Sequence, residues 1–409
     1  MLLKFVEREM ANVEEIDIVI VGGGICGLAT ALALHRKGIK SVVLERSDTL
    51  RATGAAIGVF PNGWRALHQL GLDSILQSTA IPFQRAVDVL ADKGVVRETL
   101  LSEGGEARCL RRSDLVDALA NALPSETIRF GCQLVSVNIE GSSSYAALQL
   151  HDGSLIKAKV LIGCDGANSV IASYIGLKPT RPFSTCAVRG LTTYPNGHGF
   201  APEFLRMRKD KHLVGRIPID EKTVYWFVVL QWIQKDAEMP KDSTSIRQMT
   251  LDMTAGFPND IVDMIENSDL SSLSLTRLRY RAPWNLLSGN FRRETVTVAG
   301  DAWHVMGPFL GQGGSAALED AVVLARCLAK KLSNADLNGH LSTRLAKEAL
   351  DEYLNERRRR VVLLSTLTYL RGLLLVEDPS LLLRFLCIII ITVLFRDPLN
   401  HIRYDCGEL

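Results

Sequence analysis

The stretch Ile16–Glu45, IDIVIVGGGICGLATALALHRKGIKSVVLE, constrains the fold more than any other part of the chain. Ile16 to Val21 is a short, apolar, β-branched run that suits a strand buried on both faces. It leads directly into Gly22-Gly23-Gly24-Ile25-Cys26-Gly27 and an Ala/Leu-rich helix ending near Lys37-Gly38. A second apolar run, Ser41 to Leu44, closes on Glu45. Gly22 permits a tight turn, Gly24 lets backbone amides approach a pyrophosphate, and Gly27 lets helix and strand pack closely. The helix N-terminus at Ile25 and Cys26 offers free N–H groups and a partial positive charge to phosphates. Glu45 stands where a carboxylate can accept both hydroxyls of an adenosine ribose, which disfavours a 2′-phosphate there. A lone GxGxxG is weak evidence, but here the strand, the helix and the acid at the right distance accompany it.

With 409 residues the chain can hold one large or two ordinary domains. The 47 basic and 45 acidic residues leave no electrostatic case for nucleic acid. Eight scattered cysteines, with no CxxC pair and no His/Cys cluster, point to no metal site and to free thiols in a reducing compartment. The acidic start (Glu7, Glu9, Glu14, Glu15) suits neither a transit peptide nor a secretory signal, so a cytoplasmic protein is expected.

Arg46 and the small-residue loop Arg51–Gly58, including Ala56 and Ile57, follow the first motif. Small residues near a nucleotide allow backbone to approach a ligand closely, although an ordinary connecting loop reads the same way. Strands are expected at Val87–Leu90 and Val95–Leu100, and a helix at Leu115–Leu123 with Ser113 as its N-cap. The run Val160–Cys164 delivers Asp165-Gly166 to the end of another buried strand. From Phe183 to Arg281 alternating segments, among them Thr223–Leu230, indicate an inserted antiparallel sheet with helices on its edge. Near Thr295 the first texture returns, and Val296–Ala299 ends in Gly300-Asp301. The expected divisions are an N-terminal extension (1–15), a Rossmann-like α/β domain in two parts (16–182 and 282–335), a substrate domain (183–281) and a C-terminal helical region (336–409). Phe385 to Phe395 is eleven apolar residues, about half of the ~20 that span a bilayer. That length favours a buried packing helix, with weak membrane-surface contact through residues 379–396 as the alternative.

Two more segments carry chemistry: Gly163-Cys164-Asp165-Gly166-Ala167-Asn168-Ser169, and Gly300-Asp301-Ala302-Trp303-His304 running on through Pro308-Phe309-Leu310-Gly311-Gln312-Gly313-Gly314. Asp301 ends a strand at the carboxyl edge of the sheet, where open α/β folds bind ligands, and could accept a hydrogen bond from a polyol hydroxyl. Pro308 to Gly314 is a glycine loop opening a helix, whose N–H groups can face an electron-rich ring edge. His304 invites an acid–base assignment, but without a visible partner it reads as a packing and hydrogen-bonding residue beneath the loop.

In this order and spacing the three motifs resemble the single-component flavin-dependent aromatic hydroxylases, the class A flavoprotein monooxygenases that include para-hydroxybenzoate hydroxylase. The resemblance runs from Ile16 to about Arg360. Local segments such as Leu34–Ser41, Asn62–Leu67, Tyr194–Phe200 and Asp405-Cys406-Gly407 look closest to the plant salicylate-hydroxylase-like group called monooxygenase 1. The resemblance implies bound FAD, with Gly22, Gly24, Gly27 and Glu45 on its ADP half, Asp165 in the Asp-Gly motif, and Asp301 with Gly311–Gly314 on the ribityl chain and ring. It also implies Arg112 near the phosphates and ribityl chain, and transient NAD(P)H as cosubstrate. Ala172 stands where the Asp-Gly motif usually ends in arginine, and Ser315 where asparagine is common. The implied reaction reduces FAD, forms a flavin C4a-hydroperoxide with O₂, and hydroxylates or epoxidises a small phenolic, indolic or other electron-rich substrate. Arg189, His198, Tyr225, His304 and Pro308 are the candidates for acting on substrate. Phe200, Arg216, Trp226 and Phe227 are further candidate contacts. Alternation puts Tyr225 and Phe227 on one sheet face and Trp226 on the other, without saying which faces the flavin. A flavoprotein reductase or oxidase, a membrane-surface epoxidase, and a non-catalytic protein like the Rab GDP-dissociation inhibitors remain alternatives. Monomer and homodimer are both compatible with the sequence.

Overall fold

Glu14–Val21 is the central strand of a mostly parallel sheet. Leu155–Gly163 and Val42–Leu44 flank it, with Val296–Val298 and Ile128–Arg129 outside them; these five strands run parallel, and Arg292–Arg293, Ala146–Leu150 and Leu134–Ile139 complete eight strands through antiparallel pairs. Val21 lies opposite both Leu44 and Gly163, and Gly163 opposite Val298. Four strands drawn from distant parts of the chain therefore end on one level, and Gly22, Glu45, Cys164 and Ala299 leave the sheet along one carboxyl edge. The helix Ile25–Arg36 is buried from Ile25 through Leu34 because it lies beneath a second helix, Gly313–Ser333. In this computed structural model the described residues are 13–50, 55–101, 107–139, 145–232, 239–333, 342–377 and 379–409. The first twelve residues and Arg51–Gly54 of the small-residue loop lie outside them.

The second sheet has seven strands in the order Ser274–Tyr280, Arg181–Thr193, Thr223–Gln231, His212–Pro218, Phe204–Lys209, Arg85–Leu90 and Val95–Leu100. All pairs are antiparallel except Phe204–Lys209 with Arg85–Leu90, which is parallel. The strands at 85–100 thus belong with segments more than a hundred residues downstream, a pairing that no local pattern announces. Trp226, Val188 and Val228 face the helices Ser243–Thr254 and Asn259–Glu266, packing on Ile246, Ile261 and Met264. Tyr225 and Phe227 point the other way, into the core shared with the dinucleotide-type sheet. Gly215 lies opposite Phe227, and a Cβ there would collide with the Phe227 ring, so the glycine makes room for an aromatic side chain lying across the sheet.

Two local expectations are corrected. The helix after Arg111 begins at Arg112, so Ser113 sits inside its first turn and donates to Asp114 rather than capping it. The apolar tail is a helix, Leu381–Leu394, but not a buried one: only Cys387 along it is buried. The long helix Thr343–Val376 packs along one stripe of it, and among the described residues most of its other side chains stay exposed.

Candidate active site

The motifs converge on Cys26. A Cβ on Gly300 would come within 2.8 Å of the Cys26 sulfur, one on Gly22 within 2.5 Å of the Cys164 carbonyl oxygen, and one on Gly27 would strike the Gly22 carbonyl. A hydrogen bond with Cys164, together with burial, pushes the Cys26 thiol well above its ordinary pKa. Gly22 and Gly300 have φ of +106° and +60°, a region where side chains are strained, so both positions demand glycine twice over. Gly24 and Gly313 differ, since a Cβ there would meet nothing within 4 Å. Both open onto the space in front of a helix whose first N–H groups have no partner within the helix.

Around that space stand the remaining candidates. Glu45 accepts from the Gly23 N–H (2.7 Å) and the Ser47 N–H (2.9 Å), which fixes its carboxylate beside the glycine turn. Arg46 follows it, exposed in part at the same edge. Asp165 accepts from the Val170 N–H at 2.7 Å, and its other oxygen is buried without a hydrogen-bond partner. Burial lifts the Asp165 carboxyl above the usual range, against the pull of Ser169 and the helix amides. Arg112 is half-buried, with its Nε buried and unpartnered, and burial lowers its pKa while the charge of the exposed Asp301 raises it. Ala55, at φ +60°, holds Arg112 in place by accepting its backbone N–H at 3.1 Å. Ala56 and Ile57 pair with Arg111 and Leu110, and the Ile57 side chain fills the space beside Gly314. An open glycine edge flanked by an orphaned guanidinium and an orphaned carboxylate oxygen fits a phosphate-bearing, polyhydroxylated group such as FAD.

From the Gly311 end of this edge an aromatic row crosses to the second sheet. Phe60 lies against Gly311, and ring centroids then step Phe60–Phe83 (6.2 Å), Phe83–Phe204 (6.4 Å), Phe204–Phe227 (6.1 Å) and Phe227–Tyr225 (6.1 Å). Arg189, opposite Phe227 in the sheet, shares this face and donates to Thr276 at 2.6 Å. Burial pushes the Tyr225 hydroxyl up to about 12, while a hydrogen bond with Arg189 pulls the other way. Tyr225 is therefore a neutral phenol at physiological pH.

Three candidates stand elsewhere. His198 accepts the Phe200 N–H at Nδ1 (2.9 Å), which leaves Nε2 protonated to donate to the Asp220 carbonyl (2.8 Å). Its ring stacks on Phe200, which Arg216 covers at 3.7 Å, and Arg216 pairs with Asp260. Arg216 lies opposite Trp226, on the helix-covered face of the sheet. His304 is wholly buried and bonded through Nε2 to Asp320 at 2.7 Å. Pro308 opens the short turn Pro308–Leu310, where Phe309 packs on Phe183.

Beneath the Gly311–Gly314 loop lies a charge network the motifs only hint at. Asp320 accepts from the Gly300 N–H (2.9 Å), His304 and Arg357 Nε (2.7 Å). Arg357 and Arg360 also reach Glu319, at 2.7 and 3.0 Å, and Asn62 ties Glu319 (2.7 Å) to Gln312 (2.8 Å). Burial raises both carboxyls, but Arg357 and Arg360 around Glu319, and His304 and Arg357 around Asp320, outweigh it and hold both below the ordinary range. The available signals were Glu319-Asp320 just inside a helix and arginines three residues apart on another, one face of each.

The family model described as "FAD binding domain" matches residues 15–365. Monooxygenase 1 of Arabidopsis thaliana is 50% identical over 399 residues, covering 97% of this chain and all of the relative. Monooxygenase 2 of the same plant is 38% identical over 402 residues, covering 96% and 98%. Among solved structures, Klebsiella pneumoniae HpxO complexed with FAD and uric acid superposes with a TM-score of 0.77 at 21% identity, covering 95% of this chain and 96% of that one.

Proposed function

From the premise that this chain belongs to the FAD-dependent monooxygenase family, we propose that it spends NAD(P)H and O₂ to insert one oxygen atom into a small, electron-rich aromatic substrate. The observation that carries the aromatic reading is the row from Phe60 to Tyr225, which lines the sheet face opposite the Gly311–Gly314 loop with rings and ends at Arg189. A flat apolar substrate stacks against such a surface, and Arg189 with the neutral Tyr225 phenol offers donors to a carboxylate, phenolate or carbonyl at its end.

When bound, FAD supplies hydride acceptance and oxygen activation. The residues of this chain hold it and shape the space. The amides of Gly24, Ile25, Cys26 and Gly27 would hold the pyrophosphate, Glu45 the adenosine ribose, and Asp301 the polyol chain. Arg46 and Arg112 bring positive charge to the phosphate side, and Asp165 holds the turn beside it. Ala56, Ile57 and the Gly311-Gln312-Gly313-Gly314 loop border the ring, where helix N–H groups stabilise negative charge. The aromatic row excludes water, which guards an activated oxygen against loss as H₂O₂.

The test is the visible spectrum of the purified protein, followed by NADPH and NADH oxidation against phenolic acids and indoles under ¹⁸O₂. Flavin absorbance, substrate-stimulated oxidation and one labelled oxygen in the product are expected. Coupled oxidation without label in any product would leave a reductase or oxidase in place of a monooxygenase. Arg189→Met should raise KM for an acidic aromatic substrate by roughly tenfold to a hundredfold, the loss of one charge-assisted hydrogen bond. FAD content should not change.

A further inference from the structure

The helix Leu381–Leu394 exposes ten large apolar side chains, from Ile390 at 37% to Leu381 at 83%. At about 100° per residue they spread over about 240° of its circumference, leaving a stripe through Cys387, Ile391 and Phe395 for the protein. Ile391 and Phe395 pack against the cluster of Leu310, Ala316, Leu364 and Leu367, behind the Pro308–Gly314 loop. The short helix Pro283–Ser288, which packs on the same long helix Thr343–Val376, exposes Trp284 and Leu287 at 47% and 64%. Trp284 meets Tyr369 of the long helix at 5.8 Å. So large an apolar patch on a water-exposed surface marks a docking site.

The nature of the occupant follows from geometry and charge. A partner protein or a second copy covers one face of a helix, whereas this one is apolar on every side except its packed stripe. A medium that surrounds it, hydrocarbon, satisfies that distribution. At 14 residues the helix is about 21 Å long, short of the ~30 Å hydrocarbon thickness, and among the described residues no helix is long and apolar enough to cross a membrane. It would therefore lie in the plane of the interface. Arg384 and Arg396 are exposed at its two ends, and no acidic residue occurs from Pro379 to Arg396. That charge complements anionic headgroups, and arginine side chains reach phosphate level while their stems stay in the apolar layer. Arg181, over the Trp284 ring at 5.5 Å, adds a third cation at the far rim.

We infer that this protein docks on an anionic lipid surface through Leu381–Leu394 with Trp284 and Leu287 beside it, the helix sunk to its packed stripe. The inference stands on this surface alone and not on the reaction proposed above.

Flotation of the full-length, FAD-loaded protein with phosphatidylcholine vesicles, with and without phosphatidylglycerol, tests it. The wild-type protein should float with both and more strongly with the anionic vesicles, the excess disappearing in high salt. The double variant Leu382→Glu/Ile389→Glu should lose about a hundredfold in vesicle affinity, with flavin absorbance and melting temperature unchanged. Arg384→Glu/Arg396→Glu, which alters only the rim, should lose the preference for anionic vesicles and keep part of the binding. Wild-type protein that stays in the soluble fraction with both vesicle types overturns the proposal. So does a homodimer, seen by light scattering, that Leu382→Glu/Ile389→Glu dissociates and that ignores vesicles.

Discussion

Two polar regions lie on either side of the Gly311–Gly314 loop, and they are built on opposite principles. Below it, Asn62 Oδ1, His304 Nδ1 and Gln312 Nε2 lack hydrogen-bond partners, but the charges are matched: Glu319 and Asp320 pair with Arg357 and Arg360 in the protein interior, with Asn62 and His304 bonded to the same carboxylates. Above it, Arg112 and Asp165 each keep an unpartnered buried atom, and Gly24 and Gly313 face open space. Burying a polar group without a partner costs free energy, so a fold tolerates it where something else supplies the partner. The lower region spends its charges on holding the loop. The upper one keeps its own for a ligand. His304 resembles a catalytic residue by type and position, yet its bond to Asp320 puts it with the structural set.

The comparison breaks most visibly at Arg357. Arg357→Ala leaves Glu319 with Arg360 and Asn62 and Asp320 with only His304 and the Gly300 N–H, and should cost about 3–5 kcal/mol of stability, read by denaturant unfolding of the FAD-free protein. On the other side of the loop the same experiment should register almost nothing. Asp301→Asn, at an exposed carboxylate, should leave that unfolding curve in place and weaken FAD binding by about tenfold to a hundredfold, one charged hydrogen bond, measured by flavin fluorescence titration. A shift in unfolding as large as that of Arg357→Ala would erase the distinction between the two regions.

Acid sharpens it further. Glu319 and Asp320 have folded pKa values below those of the unfolded chain. Each therefore stabilises the fold above the ordinary carboxylate pKa of about 4, and that contribution disappears as pH falls through the folded value. The melting temperature of the wild type should drop more steeply on acidification than that of Asp320→Asn, whose baseline is already lower. The smallest effect is expected at His304. A glutamine there can still donate to Asp320, so His304→Gln should lose less than about 1.5 kcal/mol and keep its turnover number within a few-fold. A loss of a hundredfold or more in a variant that still binds FAD would move His304 into the catalytic set.

The dinucleotide edge was legible in the sequence because its logic is local. The strand, turn, helix and acid of the first motif all fall within Ile16–Glu45, and the distant strands before Asp165 and Asp301 read as unbroken apolar runs because they are buried parallel strands. The second sheet was legible strand by strand but not as a sheet. Residues 85–100 enter it through a parallel pairing with Phe204–Lys209, and pairing across such a distance leaves no trace in either segment. Alternation separated Tyr225 from Trp226, and only the helices packed on Trp226 decided which face was free. The pattern also left open that Arg216 lies with Trp226 on the helix-covered face, and that His198 stacks on Phe200 beside it. The tail failed for another reason. Eleven apolar residues normally mean a core, and nothing in the run itself shows that its neighbours leave most of it bare.

The alignment of strand ends at Val21, Leu44, Gly163 and Val298 also bears on how the protein is made. During synthesis the central strand emerges early, while its partner Leu155–Gly163 comes much later and Val296–Val298 appears only after most of the chain. Arg357, which anchors the loop, comes later still. Pairings of such long sequence separation fold slowly and leave strand edges exposed in the meantime. A ribosome carrying two-thirds of this protein thus holds an incomplete nucleotide edge, and cofactor loading belongs to the last stage of its biogenesis.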